Sequence, residues 1–481
     1  MVVLLHINDG DVRSSAAAGS PLLDVLREEA GLTAAKPGCR TGDCGACAVL
    51  LGWREPGADL PHYELHNACL TPVAMAAGCH VITAEGLAGP PGTELGAVQR
   101  AMLDAGAVQC GYCSPGLVVA LTWALLTGVS PRRAALGTLC RCTGYGGIRR
   151  ACDALAQPGP RSPGELLPPG VLAKSASLAP LPRVPWEQAR GSWLAGGTDE
   201  LPEHLHRAAS HRRTTWLRRV EGLGAIAVGT HGIVLGAATT IAELQASPAV
   251  AERWPALVAH LELFGSPAVR QAATVGGNLA HAAPTADLAV ALLAMGAVVE
   301  LRGAAGGSRS MPLEDFFLGY HRTARGRDEL VVAVQVPDPV PGSRLHLAKV
   351  AKRAHDDIAT VSLAVRARVD GQGRVGEFRA AAGGVAPIPL LLPATAAALL
   401  GQHLDAATAR AAMAPLALEV APIDDLRGTA DYKRALLGHL LLGALDTWCP
   451  GLAAAVLGAG MPSATAAGRR AVAGARAGAA P

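Results

Sequence analysis

Aromatic side chains make up only 3% of the sequence, too few to build platforms on which nucleic-acid bases stack. No Lys/Arg run forms a basic stripe, and 42 basic residues against 39 acidic ones leave a net charge of only +3. A nucleic acid is therefore not an expected partner. Long hydrophobic runs are missing as well. The longest apolar stretches, Leu117–Leu126 and Leu288–Val299, fall short of the roughly 18 residues that span a bilayer, so no membrane partner is expected. The opening MVVLLHINDG has no basic flank, apolar core and small-residue cleavage site, and does not read as a secretion signal. These absences predict a cytoplasmic protein. In that reducing compartment, eleven cysteines are expected to bind metal rather than pair as disulfides.

Half of the 481 residues are apolar and 17% are charged, which indicates a folded chain of about two to four domains. The first ~80 residues form a β-rich pattern: Val2–Ile7 alternates, a turn at Asn8-Asp9-Gly10 follows, and Leu22–Glu29 reads as a helix capped by Ser20 with Pro21 in its first turn. From about Glu94 to Asp153 apolar residues such as Leu117, Leu121 and Leu125 recur at helical spacing. Prolines 158, 160, 163, 168, 169, 180, 182 and 185 suit an extended linker rather than part of a core. Beyond it, β-like runs (Gly232–Ala237, Ala297–Leu301, Leu330–Val336, Ile358–Val369) alternate with helical ones, an α+β pattern. The last ~30 residues are rich in Ala and Gly and read as a mobile tail.

The strongest chemical signal is Cys39-x4-Cys44-x2-Cys47 with Cys69 after a further 21 residues, the spacing of a plant-type [2Fe–2S] loop. Iron in such a centre is held by thiolates from a loop that wraps it, with backbone amides turned towards sulfur. Gly38, Gly42 and Gly45 are expected to supply positive φ angles for that wrap. Structural zinc is the competing reading, though zinc sites usually come as two short pairs. A second set, Cys110-x2-Cys113, 26 residues, Cys140-x-Cys142, also makes a closed thiolate site, and by itself leaves zinc open. Cys113 and Cys140 are each expected at a helix start, where the positive end of the dipole offsets cluster charge. Cys79, Cys152 and Cys449 remain as ordinary thiols.

Two glycine-rich turns, Ala195-Gly196-Gly197-Thr198-Asp199 and Thr274-Val275-Gly276-Gly277-Asn278, lie about 80 residues apart. Glycine lets backbone amides approach a diphosphate closely, but each turn alone reads as an ordinary tight turn. No Rossmann fingerprint is present.

The segments PGCRTGDCGAC, QCGYCSPG and LCRCTGY resemble the two iron–sulfur domains of the molybdenum hydroxylase (xanthine oxidase) family. WLAGGTDE, FGSPAVRQAATVGGNLAHAAPTADL, FFLGY and KVAKRAHDDIA resemble that family's flavin domain in order and spacing. The resemblance implies an α+β multidomain chain. Residues 1–82 would form a β-grasp plant-type [2Fe–2S] ferredoxin-like domain and 83–156 a four-helix [2Fe–2S]-binding domain. A Pro-rich linker at 157–187 would lead to a vanillyl-alcohol-oxidase/PCMH-type FAD domain at 188–341. A small C-terminal α+β flavoprotein subdomain at 342–448 and the tail 449–481 would complete it. It also implies that Leu194, Ala195–Asp199, Thr274 and Gly276–Asn278 hold the FAD diphosphate and ribityl region, with Asp287 towards the ribose or adenine. Phe264 would lie near the flavin ring where a nicotinamide approaches. Val331 and Lys349 would contact the isoalloxazine, and Asp356 and Asp357 would lie on the loop beside it. Gln109 holds the family's position near a molybdopterin. His355 departs from the acidic or amide residue common there, and a histidine in that place bears on the flavin's pH behaviour and on NAD preference.

By the same resemblance the cofactors are two [2Fe–2S] clusters and FAD, with NAD+ as acceptor and molybdopterin confined to a partner subunit. The expected role is the electron-transfer subunit of the branch that oxidises hypoxanthine and xanthine to urate. It would pair with a molybdenum-binding large subunit as a heterodimer that assembles to a heterotetramer. Electrons would pass through the Cys110/113/140/142 centre, then the Cys39/44/47/69 centre, to flavin. No residue of this chain is expected to act as acid or base in the hydroxylation. Other readings are the equivalent subunit of an aldehyde or N-heterocycle hydroxylase, a structural zinc protein, and a stand-alone ferredoxin reductase.

Overall fold

A computed structural model describes residues 2–88, 95–156, 159–189, 192–202, 214–304 and 306–458. The chain divides into two compact units, residues 1–224 with 265–274, and residues 225–264 with 275–481.

The first unit opens with a five-stranded sheet: β1 (Val3–Ile7), β2 (Gly10–Ser14), β3 (Ala48–Trp53), β4 (His62–Asn67) and β5 (His80–Ile82), in the order β2-β1-β5-β3-β4. β1 pairs with β5 in parallel and all other neighbours are antiparallel, the mixed arrangement of a β-grasp. The expected helix at Leu22–Glu29 differs in two respects. Only Leu22–Asp24 is α-helical, the rest widens into a π-turn, and Pro21 occupies the cap position in extended conformation with no side-chain cap from Ser20. Proline has no N–H to donate and its fixed φ suits the entry to a helix, so Pro21 takes the place that Ser20 would have filled.

Four helices follow: Ala97–Asp104, Ser114–Thr127, Pro131–Ala135 and Gly146–Leu155. Ser114–Thr127 is buried along nearly its whole length, from Gly116 to Leu125, so it forms the axis of this domain. Truncating a fully buried leucine there, such as Leu121, removes about 2–5 kcal/mol.

The proline-rich segment is not an extended linker throughout. Pro163–Leu166 and Pro169–Ser177 are helical, because their prolines fall at first-turn positions where a missing N–H costs nothing. Leu167, Val171 and Ser175 are buried. The Tyr63 hydroxyl bridges Ser175 Oγ at 2.9 Å and His80 Nδ1 at 2.8 Å, and His80 Nε2 donates to the Asn8 carbonyl at 2.7 Å. Burial pushes the His80 imidazole down to about 4, which keeps it neutral in that tautomer.

A second buried polar group centres on Glu64. Its carboxylate accepts from Arg218 at 2.7 and 3.0 Å and from His66 Nε2 at 3.0 Å, while the Arg218 guanidinium lies over the Trp53 and Trp216 rings. Burial alone would raise the carboxyl, but the Arg218 charge and the histidine donors hold it well below the usual carboxylate range. A group depressed on folding stabilises the fold above its unfolded value, near 4.5, and that contribution disappears as the pH falls through the lower folded value. Glu64→Gln is expected to flatten the acid limb of a stability-versus-pH curve and, by stranding Arg218, to cost about 3–5 kcal/mol at pH 7. An acid limb as steep as that of the unaltered protein, measured by denaturant melts, would refute this.

In the second unit, strands Ser308–Pro312, Val298–Gly303, Glu329–Pro337, Gly232–Gly236 and Ile226–Gly229 form an antiparallel sheet in that order. Four strands, Arg344–Val350, Val361–Val369, Val375–Gly383 and Leu390–Leu391, form another, whose core is completed by the helix Ala430–Asp446. The expected tail begins instead with a packed helix, Leu452–Leu457, whose Leu452 and Ala453 are buried: apolar residues adjoining an unfilled core join it. Positions 459–481 of that tail, with Ala459 and Gly460, lie outside the described residues, as do Glu94 and Pro158. Among the described residues no helix is long and apolar enough to cross a membrane.

Candidate iron–sulfur and flavin sites

The first four cysteines converge in the first unit. The Cys39 thiol is hydrogen-bonded to those of Cys44 and Cys69, and Cys69 is bonded in turn to Cys47. Backbone N–H groups of Thr41 and Cys44 donate to Cys39 Sγ, each at 3.4 Å, the polarity that negative sulfur requires. Hydrogen bonds from Cys44 and Cys69 hold the Cys39 thiol far below its ordinary value; Cys39 and Cys47, as neighbours of Cys69, push the Cys69 thiol far above. A shared cation removes such a conflict by taking all four as thiolates.

Gly42 and Gly45 do adopt positive φ, 88° and 64°. Gly38 does not. A β-carbon there would meet Cys44 Sγ at 2.8 Å, so Gly38 serves close approach, and the third positive φ falls on Arg40.

The second set also converges. Cys142 Sγ lies 3.5 Å from Cys110 Sγ and 3.7 Å from Cys140 Sγ, and Cys113 is hydrogen-bonded to Cys140. Cys113 sits at the start of Ser114–Thr127 as expected. Cys140 does not begin a helix; Tyr145 is the cap of the next one, since Gly144 at φ 61° and Tyr145 at φ 65° hold a tight turn first. Tyr145 and Thr143 are the residues that sequence reasoning missed. The Tyr145 hydroxyl accepts from the Cys140 N–H at 2.9 Å, and Thr143 Oγ1 lies 3.0 Å from Cys140 Sγ. Burial would push the Cys140 thiol up, but the Thr143 and Cys142 hydrogen bonds bring it down to about 7. Both residues stand in the motif LCRCTGY, which is the only signal that pointed to them. Cys110 and Cys142 are exposed, as is Gln109, beside the exposed apolar side chains of Val108 and Tyr112.

The two cysteine loops interlock. The Leu139 N–H, next to Cys140, donates to the Cys44 carbonyl at 3.0 Å. A β-carbon on Gly45 would lie 2.1 Å from the Gly137 carbonyl oxygen. Both sets fit di-iron centres: Cys39, Cys44, Cys47 and Cys69 would hold one and Cys110, Cys113, Cys140 and Cys142 the other.

The flavin candidates divide between the units. In the first, strand Ser192–Leu194 ends in the loop Ala195–Asp199, and Gly196 lies so close to the segment holding Thr274 that a β-carbon would be 2.0 Å from the Ala272 carbonyl. Gly197 has φ 72° and packs against Leu70 and Pro72.

In the second, Gly276, Gly277 and Asn278 lie in the helix Val275–His281. Gly276 abuts Ala237, and Asn278 Oδ1 accepts from the Ala289 N–H at 3.2 Å. Asp287 is the first residue of the helix Asp287–Met295 rather than its cap. Its Oδ2 accepts from Lys349 Nζ at 2.6 Å, and Lys349 also donates to the Leu263 carbonyl at 2.8 Å, beside Phe264. Asp287 Oδ1 is buried without a hydrogen-bond partner, an open acceptor that a ribose hydroxyl would satisfy. Val331 is buried on Glu329–Pro337, and Asp356 is buried at φ 53° with its carbonyl accepting from Arg353. His355 and Asp357 flank it on the same loop. Within the second unit, the open Asp287 acceptor and the close-packed glycine helix Val275–His281 are groups that the ribose and diphosphate of FAD would suit. Lys349→Met is expected to strand the Asp287 carboxylate, costing about 3–5 kcal/mol in a melt of the apoprotein and lowering retained flavin; an unchanged melt would refute the pairing.

Four family models match in succession: a 2Fe-2S iron-sulfur cluster binding domain at 5–74, a [2Fe-2S] binding domain at 83–153, an FAD binding domain in molybdopterin dehydrogenase at 174–339, and a CO dehydrogenase flavoprotein C-terminal domain at 346–447. Xanthine dehydrogenase of Blastobotrys adeninivorans is 27% identical over 81% of this chain and 36% of its own length. Aldehyde oxidase 1 of Bos taurus is 26% identical over 87% of this chain and 37% of its own. This chain thus spans little more than a third of the curated relatives it matches. A solved structure of reconstituted CO dehydrogenase from Oligotropha carboxidovorans aligns with TM-score 0.51 and 28% identity over 54% of this chain and 93% of its own. Fold and sites together define an iron–sulfur flavoprotein of the electron-transferring kind. The chain belongs to the molybdenum hydroxylase family and carries two [2Fe–2S]-binding domains and an FAD-binding domain.

Proposed function

We propose that this chain is the electron-transfer subunit of a cytoplasmic xanthine dehydrogenase, working with a molybdenum-binding large subunit and using NAD+ as acceptor. The observation that carries this is the exposure of Cys110 and Cys142 beside Val108, Gln109 and Tyr112. Thiolate ligands of one centre open to the surface, rimmed by apolar side chains, suit a partner that delivers electrons there. Di-iron centres supply one-electron carriage, and flavin supplies the exchange between one- and two-electron chemistry. The chain's own residues hold those groups: the sulfur-directed amides of Thr41 and Cys44 favour negative charge on the first centre, and Thr143 and Tyr145 support the second.

A second substrate class is favoured by one fact: aldehyde oxidase matches about as well as xanthine dehydrogenase. Co-expression with a molybdenum-binding large subunit tests both. Xanthine-dependent reduction of NAD+ by the complex is expected. Reduction by aldehydes or N-heterocycles with xanthine inert would move the assignment to the second class. A colourless, zinc-containing chain would end both.

A further inference from the structure

Asn67 ends β4 beside the first set of cysteines and is only 3% exposed. It is bonded to every stretch of chain that carries a thiol of that set. Across the sheet it pairs with Ala48, the residue after Cys47, and its neighbour Ala68 donates to the Cys47 carbonyl at 3.1 Å. Cys69 lies two residues further on, in a turn where the Leu70 N–H and Thr71 Oγ1 donate to the Asn67 carbonyl at 2.8 and 3.0 Å. The side chain reaches the remaining stretch, the loop that holds Cys39 and Cys44. There Asn67 Nδ2 donates to the Gly42 carbonyl at 3.0 Å.

The amide is placed for that bond alone. A carbonyl can only accept, so the side chain must turn its NH2 group towards Gly42. This leaves Asn67 Oδ1 buried with no hydrogen-bond partner, a desolvation cost that a leucine in its place would not carry. Packing of β4 gives no reason for an amide here; the Gly42 carbonyl does. Gly42 is itself buried, at φ 88°, with its backbone packed against Leu70 and the Asn67 side chain.

The peptide joining Gly42 to Asp43 is trans, so its N–H points opposite to its carbonyl. Holding the Gly42 carbonyl on Asn67 therefore fixes the direction of the Asp43 N–H as well. The Asp43 side chain is occupied elsewhere, accepting from Thr41 Oγ1 at 2.5 Å. Its N–H meets no acceptor among the described residues, while the N–H groups of Thr41 and Cys44 on either side donate to Cys39 Sγ. We infer that Asn67 is a positioning residue: by holding the Gly42 carbonyl it aims the Asp43 N–H at the sulfur of the first [2Fe–2S] centre, a third amide donor from that loop. Donors to sulfur favour the added negative charge of the reduced centre, so Asn67 keeps the potential of this centre up. The inference requires the centre, and neither the substrate class nor the acceptor proposed above.

A redox titration of the cluster-loaded full chain, followed by electron paramagnetic resonance, tests it, with the second centre of the same molecule as reference. Asn67→Leu keeps the bulk and lacks the donor. It should retain about four iron atoms, move the midpoint of the first centre to lower potential and alter its signal, and leave the second centre's midpoint and signal where they are. A separate measurement uses the unaltered sequence, made by cell-free synthesis with 15N-labelled aspartate. Hyperfine spectra of its reduced first centre should show a coupled 15N that disappears in Asp43→Asn made with unlabelled asparagine. An unchanged midpoint and signal in Asn67→Leu at full iron would overturn the inference. So would an equal shift of both centres, which marks a general loosening of the fold, and so would a labelled protein without the coupling. If Asn67→Leu loses the iron of the first centre, the labelled protein decides: the coupling supports the inference and its absence refutes it.

Discussion

Cys69→Ala is expected to halve the iron of the purified chain, from about four atoms to about two, and to remove one of two signals in the paramagnetic resonance spectrum of the reduced protein. The Cys69 thiol is hydrogen-bonded to those of both Cys39 and Cys47, so its loss removes one side of the cluster of four. Without the fourth ligand the loop 38–47 loses what it wraps. Its positive φ angles at Arg40, Gly42 and Gly45 then rest on the Asn67–Gly42 hydrogen bond, the Arg40–Asp24 ion pair and the contact with the Gly137–Leu139 segment, and because metal binding and folding are coupled the loss extends beyond the metal. Melting temperature should fall by several degrees, on the order of 1 kcal/mol or more. Cys79→Ala is the matched control. Cys79 is equally buried, but its thiol bonds only to the Met75 and Ala77 carbonyls, so iron should stay at the full complement. Full iron in Cys69→Ala would show that a different fourth ligand closes the centre.

The second large effect is expected from a single methyl group. Gly196→Ala places a β-carbon 2.0 Å from the Ala272 carbonyl oxygen and 2.6 Å from its carbon. Both are backbone atoms, and Ala272 ends a short helix, Pro267–Ala272, whose own hydrogen bonds resist displacement. One of the two strands of chain must move. Overpacking of this kind costs about 1–3 kcal/mol, and if it is borne by the loop Ala195–Asp199, FAD affinity falls by about tenfold to a hundredfold. The iron–sulfur centres should be retained, so absorbance at the flavin bands should drop against unchanged iron. Gly224→Ala, where a β-carbon meets nothing within 4 Å, should keep its flavin. Full flavin in Gly196→Ala would remove this loop from the binding site.

The contrast between these two predictions tracks how each site is encoded. Cys39, Cys44 and Cys47 sit in one loop, and the offsets of four and two follow from wrapping a chain around a fixed-size centre, so spacing alone exposes them. The helix start expected at Cys140 is not there. The turn at Gly144 and Tyr145 intervenes, and nothing in local propensity distinguishes a residue in a turn from one at a cap. The prolines at 163, 168 and 169 depart from the extended reading for a related reason. Each restricts its own φ, but whether it stops a helix or starts one depends on which carbonyl lies four residues back.

The flavin residues were the least legible from local chemistry. Two glycine pairs 80 residues apart carry no mark that separates a binding loop from a turn, and Asp287 and Lys349 meet across 62 residues of sequence. Their pairing depends on the helix Asp287–Met295 packing against the four-stranded sheet, a long-range event with no local trace.

Sequence by itself determined the thiolate chemistry, the two-centre plan and the α+β character, because covalent spacing and hydrophobic period act within a few residues. Only the tertiary structure decided which carboxylate oxygen is left open, which thiols reach the surface, and which glycine has no room for a methyl group. Those depend on atoms brought together from distant parts of the chain, whose positions are set by packing and not by the order of the residues alone.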